Sequence, residues 1–346
     1  MNKEVIGSTK NGSDIIAYTI TNATSGMKAV VLNVGCALKE LYVKDNSGKL
    51  TDVVLGFENA SDYEDNGPGF GANVLPNCNR IGEARYTING VTYELEKNDG
   101  NNNLHSGSNA MHHKVWSLVS HTENAISQTY TMSNLECGFP GPLTVTMTYT
   151  LGDDGTIRLD YSASADVDTV FNPTNHTYFN LSGHNAGSTL DNMMWIDADT
   201  ITVADTTCIP RGEICNVAGT AFDFTTEKQV GKDILDPSTE ALIRRNGYDT
   251  NFVLNKPELD HKSASLYDPK NGMRMDTYTN LPGLQIYVGN FLGAADLGKG
   301  NNPHKPYDGI CFEAQFAPNS INVPSFASPL IKAGETKTYS TIYKFY

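Results

Sequence analysis

The sequence is poor in cations and has no long apolar run. Its 346 residues hold 25 Lys and Arg against 39 Asp and Glu, a formal charge of −14. That balance argues against nucleic acid and against anionic membrane surfaces as partners, because both attract basic proteins. No apolar stretch approaches the roughly 18–20 residues that span a bilayer. The start, Met1-Asn2-Lys3-Glu4-Val5-Ile6-Gly7, lacks the apolar core of an export signal. There is no glycine-rich phosphate loop and no cluster of Arg and Lys, so nothing supports a phosphorylated substrate. The six cysteines, Cys36, Cys78, Cys137, Cys208, Cys215 and Cys311, are scattered and form no CxxC pair. A zinc knuckle and a dithiol redox motif are therefore not expected, and the thiols read as reduced, in a cytoplasmic protein. His112 and His113 are adjacent; on a strand they would point to opposite faces, which argues against a metal site there. No repeat of 20–50 residues suggests a propeller or solenoid, and no Gly/Ser/Pro-rich linker divides the chain.

What the chain does have is period-two patterning between turn signals. Arg85-Tyr86-Thr87-Ile88 and Val91-Thr92-Tyr93-Glu94-Leu95 flank Asn89-Gly90, which predicts a hairpin with a type I′ turn. Leu143–Leu151 alternates apolar and hydroxyl residues and meets Thr156–Tyr161 across Asp154-Gly155. Asn271-Gly272 joins Ala264–Tyr267 to Met273–Tyr278, and Thr338–Tyr346 reads as a closing strand. The best helix signal is short, Ser238–Arg245, with Ser238 or Thr239 as its cap. Length alone suggests two domains, because single cores seldom outgrow about 250–300 residues, but large all-β folds are the exception. The expectation is one all-β domain over residues 1–346, a large antiparallel β-sandwich with few short helices.

Chemistry concentrates in a few polar segments. Asn172-Pro173-Thr174-Asn175-His176-Thr177-Tyr178-Phe179-Asn180-Leu181-Ser182-Gly183 combines amides, hydroxyls and aromatic rings around one histidine. Amides bind hydroxyls, rings cover the apolar face of a sugar, and an imidazole moves a proton near neutral pH. Similar in character are Asn77-Cys78-Asn79-Arg80-Ile81-Gly82, Asn101-Asn102-Asn103-Leu104-His105-Ser106-Gly107 and Asn246-Gly247-Tyr248-Asp249-Thr250-Asn251. Glu313 stands in the apolar segment Ile310-Cys311-Phe312-Glu313-Ala314-Gln315-Phe316. A carboxylate in such surroundings has a raised pKa, which suits a general base; the alternative is a buried structural ion pair with Arg80.

These segments, in this order, resemble the aldose 1-epimerase (mutarotase) family. The matching pieces are Asn79-Arg80-Ile81, Asn103–Gly107, Asn175–Leu181, Gly247–Val253, Pro282-Gly283-Leu284-Gln285-Ile286-Tyr287-Val288-Gly289-Asn290-Phe291, Phe312-Glu313-Ala314-Gln315 and the tail from Ser328 to Phe345. The likeness covers nearly the whole chain. It implies a galactose mutarotase-like supersandwich and a soluble isomerase of hexose metabolism that interconverts the anomers of free galactose and glucose. By position, Glu313 would be the general base and His176 the general acid at the ring oxygen. Arg80, His105 and Asp249 would bind the substrate, with Asn79 and Gln285 as further binding candidates. One proton removed and one delivered suffices for mutarotation, so no metal or other cofactor is needed. The partner expected is a small-molecule aldose, and the protein would be a monomer or homodimer. The sequence departs from the family at Ala110-Met111-His112-His113-Lys114-Val115-Trp116 and at Leu75-Pro76-Asn77-Cys78, which bears on substrate preference. The competing possibilities are a glycoside hydrolase using Asp249 and Glu313, a sugar-binding module without turnover, and an epimerase of hexose 6-phosphates.

Overall fold

The alternation in Leu143–Leu151 sets the architecture. Its leucines, Val145, Met147 and Tyr149 are buried, while the threonines between them are half-exposed. The strand pairs residue for residue with Thr156–Ala165, so two apolar faces are presented to the same side. A computed structural model describes residues 2–293, 295 and 297–346. It contains a nine-stranded antiparallel sheet with Thr336–Phe345 near its centre, hydrogen-bonded to Thr156–Ala165 on one side and Arg274–Thr279 on the other. A five-stranded meander is built from Asn2–Ser8, Asp14–Thr21, Lys28–Leu32, Leu38–Lys44 and Leu50–Asp52. A six-stranded sheet runs in the order Tyr178–Phe179, Ile310–Gln315, Gly283–Tyr287, Asp249–Val253, Thr200–Ala204 and Pro210–Asn216.

The six-stranded sheet packs on the nine-stranded one. Leu284, Ile286, Phe312 and Ala314 share one apolar cluster with Met147, Tyr149, Leu159 and Tyr343. Each large side chain buried in it stabilises the fold by about 1.5–3 kcal/mol. Tyr343 also donates its hydroxyl hydrogen to the Phe312 carbonyl, 2.8 Å away, tying the sheets at the point that matters for the site.

The three predicted hairpins form, with Arg85–Ile88 against Val91–Glu94, Leu143–Leu151 against Thr156–Ala165, and Ala264–Tyr267 against Arg274–Thr279. The predicted helix is shorter, Glu240–Arg245, and its capping differs from expectation. Thr239 is the N-cap but makes no side-chain cap bond, because Ser238 and Thr239 both donate their hydroxyls to Asp236 instead. His112 and His113 are not on a strand. They belong to a single 3-10 turn, Met111–His113, so their rings lie side by side with centroids 4.0 Å apart. The opposite-faces expectation fails because the segment turns rather than extends.

Candidate active site

Strand alternation places the candidate residues on one face. In Ile310–Gln315 every residue is buried. Ile310, Phe312 and Ala314 enter the apolar core, which turns Cys311, Glu313 and Gln315 the other way. In Gly283–Tyr287 the same rule turns Gln285 and Tyr287 away from the core, and Asp249 lies opposite Tyr287 in the next strand. A cavity of about 560 Å³ opens on this face. Glu313, His176, Arg80, His105, Asp249 and Asn79 line it, together with Tyr178, Tyr287 and the more exposed Phe291.

His176 arrives from a different element. Thr174–His176 pairs with Ala72–Val74, and the Gly71 N–H donates to the His176 carbonyl at 3.2 Å. Its Nε2 lies 3.7 Å from Glu313 Oε1. The His105 ring stands edge-on to it, with centroids 5.4 Å apart. His105 sits on a left-handed turn, φ 52°, locked to Asn79, itself at φ 56°. The Asn79 N–H donates to His105 Nδ1 at 3.1 Å and the His105 N–H donates to the Asn79 carbonyl at 3.0 Å. A neutral His105 therefore carries its proton on Nε2. Two non-glycine residues held in this region store backbone strain at the site.

Arg80 and Asp249 form a charged wall. Arg80 Nε donates to Asp99 Oδ2 at 2.7 Å, and its Nη1 is 3.9 Å from Asp249 Oδ2. The buried Arg80–Glu313 ion pair entertained as the alternative does not form, since the guanidinium is engaged by these two aspartates. Gln285 does not line this cavity. It lies behind Asp249 and donates its amide to Asp249 Oδ1 at 2.5 Å, while Arg245 donates to the Asp249 carbonyl. The departure at Ala110–Lys114 reaches the cavity: His112 and His113 line it, and Trp116 Nε1 donates to the Met111 carbonyl at 2.9 Å, fixing the turn.

Burial sets the protonation of the central pair. It pushes the Glu313 carboxyl well above the usual carboxylate range, with Asp249 adding and Arg80 opposing. It pushes the His176 imidazole down to about 4, against a smaller opposing effect of Asp249. His105 is also held well below its ordinary value by burial, then by His176 and Arg80. Glu313 and His176 thus both favour the uncharged form and share one proton, which is the requirement for coupled donation and removal. Among the described residues, the ligand atoms of His176, Cys311 and Glu313 lie within 4.8 Å of one another, close enough to hold a metal ion. Burial keeps Cys311 a thiol, so a metal would have to displace its proton.

Tyr178, Tyr287, Cys311 and Asp99 were not singled out from the sequence. The signal for Tyr287 and Cys311 was period two: each stands two residues from a candidate on the same strand. Asp99 carried no such signal, because it reaches Arg80 from a turn.

A β-sandwich with a buried carboxyl–imidazole pair in a sugar-sized, amide-rimmed cavity defines an acid–base enzyme of carbohydrates. The sequence profile of the family described as aldose 1-epimerase matches residues 17–344. A galactose mutarotase from Sus scrofa is 36% identical over 321 residues, covering 92% of this chain and 91% of that protein. An aldose 1-epimerase from Escherichia coli (strain K12) is 30% identical over 338 residues, covering 97% and 96%. The crystal structure of galactose 1-epimerase from Lactobacillus acidophilus superposes with a TM-score of 0.86 at 28% identity, covering 100% of this chain and 98% of that one. The chain belongs to the aldose 1-epimerase family, and its activity is the interconversion of the α and β anomers of aldoses.

Proposed function

We propose that the substrates are free, unphosphorylated hexoses such as galactose and glucose, and that Glu313 and His176 carry the reaction. The observation that supports this is the 3.7 Å approach of His176 Nε2 to Glu313 Oε1 on the cavity wall. In the charged form of the pair, the Glu313 carboxylate takes the proton from the anomeric hydroxyl. The C1–O1 bond becomes a carbonyl, the C1–O5 bond breaks, and the His176 imidazolium gives its proton to O5. Both groups end neutral, the form that their burial favours, so ring opening returns the pair to the state from which it must first be charged. Rotation about C1–C2 and the reverse transfers close the ring on the other face.

Arg80, His105 and Asp249 hydrogen-bond the sugar hydroxyls. Asn79 works through His105, and Gln285 through Asp249. Among the described lining residues Arg80 is the one Lys or Arg, and Asp99 and Asp249 already engage it. A phosphoryl group would meet no free basic cluster, which favours the neutral sugar.

All six cysteines are free thiols, consistent with a reducing, cytoplasmic setting. No helix among the described residues is long and apolar enough to cross a membrane. We read the chain as one domain that works as a monomer or a homodimer. Polarimetry on freshly dissolved α-glucose and α-galactose, beside a chromogenic galactoside, tests the proposal. Rapid equilibration without release of the chromophore is expected; turnover confined to hexose 6-phosphates would overturn the substrate assignment.

A further inference from the structure

His176 is held at both nitrogens by one strand. Nε2 faces Glu313 Oε1 at 3.7 Å, and Nδ1 faces the Cys311 thiol at 3.6 Å. Cys311 and Glu313 are two residues apart on Ile310–Gln315, so both project from the cavity face of the sheet. Protein packs around the imidazole except where it lines the cavity. A Cβ added at Gly69 would lie 3.2 Å from His176 Cγ, and the Tyr178 ring is 5.0 Å away. Packing fixes where the ring sits, but an imidazole turned over by 180° has nearly the same shape. The choice between the two faces, and between the two neutral tautomers, therefore falls to hydrogen bonding.

We infer that Cys311 is a positioning residue that sets the tautomer and orientation of His176. The inference rests on the acid–base reading of His176 above. A thiol sulfur that accepts the Nδ1 hydrogen keeps it on Nδ1 and leaves Nε2, the nitrogen that faces Glu313 and the sugar, to give up and regain the mobile proton. When His176 is charged, Nε2 carries the second hydrogen while Nδ1 still donates to the same sulfur. A carboxylate at this place would accept the same hydrogen far more strongly. It would favour the imidazolium and work against the neutral form in which the pair must finish ring opening. A weak, reversible partner follows the histidine through both states without trapping either. Burial, helped by the nearby Glu313 and Asp249, keeps the sulfur a neutral thiol, so it does not trap the imidazolium as a thiolate would.

The test pairs a spectroscopic readout with kinetics. In the wild-type protein with 15N-labelled histidine at pH 7, His176 should show the Nδ1–H tautomer. Cys311→Ala and Cys311→Val, the second close to cysteine in shape, should lose that preference. Their kcat should fall about five- to tenfold, the scale of one weak hydrogen bond, with KM within about twofold. Cys311→Ser, which can donate and accept, should keep the tautomer and most of the turnover. An unchanged tautomer in the alanine and valine variants would overturn the inference, as would equal losses in all three, which mark a packing role only. Absence of mutarotation in the wild type would instead strike the acid–base reading. The tautomer assignment is measured without turnover, so the two failures are distinguishable.

Discussion

Glu313 stands where burial works against the stability of the fold. Its carboxyl is buried with one oxygen, Oε2, lacking a described partner. Glu313→Gln should lower kcat by at least about 10²-fold, the usual contribution of one positioned proton-transfer group. The same variant should unfold at higher denaturant than the wild type at pH 7. The sign follows from the raised pKa: the folded state retains a proton that the unfolded chain gives up above its ordinary value. The penalty therefore grows as pH rises and vanishes below about 4.5. The gain in Glu313→Gln should accordingly shrink as urea titrations move toward pH 5. His176 has the opposite sign. Held neutral down to about 4, it weakens the fold as pH drops from 6.5, by up to about 3 kcal/mol. His176→Asn should show a shallower loss of stability between pH 6.5 and 5, together with an activity loss of at least about 10²-fold. Asp249→Ala should act mainly on KM, raising it about tenfold or more while kcat changes less. The proposed acid–base pair stands out in the chain because a lone glutamate in an apolar strand, and a histidine among amides, are costly to bury. The Cys311–His176 and Asp99–Arg80 contacts could not. Each joins segments that are distant in sequence, and neither residue type is unusual in its local setting.

Among elements, hairpins were the most legible, because Asn-Gly and Asp-Gly turns are local chemistry. Gly90 and Gly155 do adopt positive φ, 78° and 81°. The 3-10 turn at Met111–His113 was not legible, since its shape depends on the Trp116 bond to the Met111 carbonyl rather than on its own residues. Nor was the cap of Glu240–Arg245, where Asp236 competes for both hydroxyls. The short strand that carries His176 depends on one glycine. Gly71 has φ +63°, and a Cβ there would stand 2.1 Å from the Leu38 carbonyl oxygen. Gly71→Ala must shift either the Leu38 strand or the Ala72–Val74 strand that registers His176. It should destabilise the protein by several kcal/mol and reduce activity even in the fraction that folds. Thermal unfolding together with kcat per active molecule would check this, and an unchanged melting temperature would sink it.

For the whole molecule, the sandwich class was legible from the density of turns and the period-two strands between them. The order of strands in the sheets was not, because pairing such as Thr156–Ala165 with Thr336–Phe345 has no local signature. Deleting residues 336–346 should leave a chain that does not fold, seen as loss of soluble protein and of the native circular dichroism spectrum. Removing an edge strand such as Lys228–Gln229 from the same sheet should be far milder.

The central position of Thr336–Phe345 also has a consequence during protein synthesis. The strand ending at Ala165 leaves the ribosome about 170 residues before its neighbour begins. At about 5–20 residues per second, its open edge waits on the order of ten seconds or more. Throughout that interval the nascent chain exposes unpaired backbone to every other chain nearby. A chaperone that shields this edge during synthesis would therefore be expected to raise the yield of folded protein.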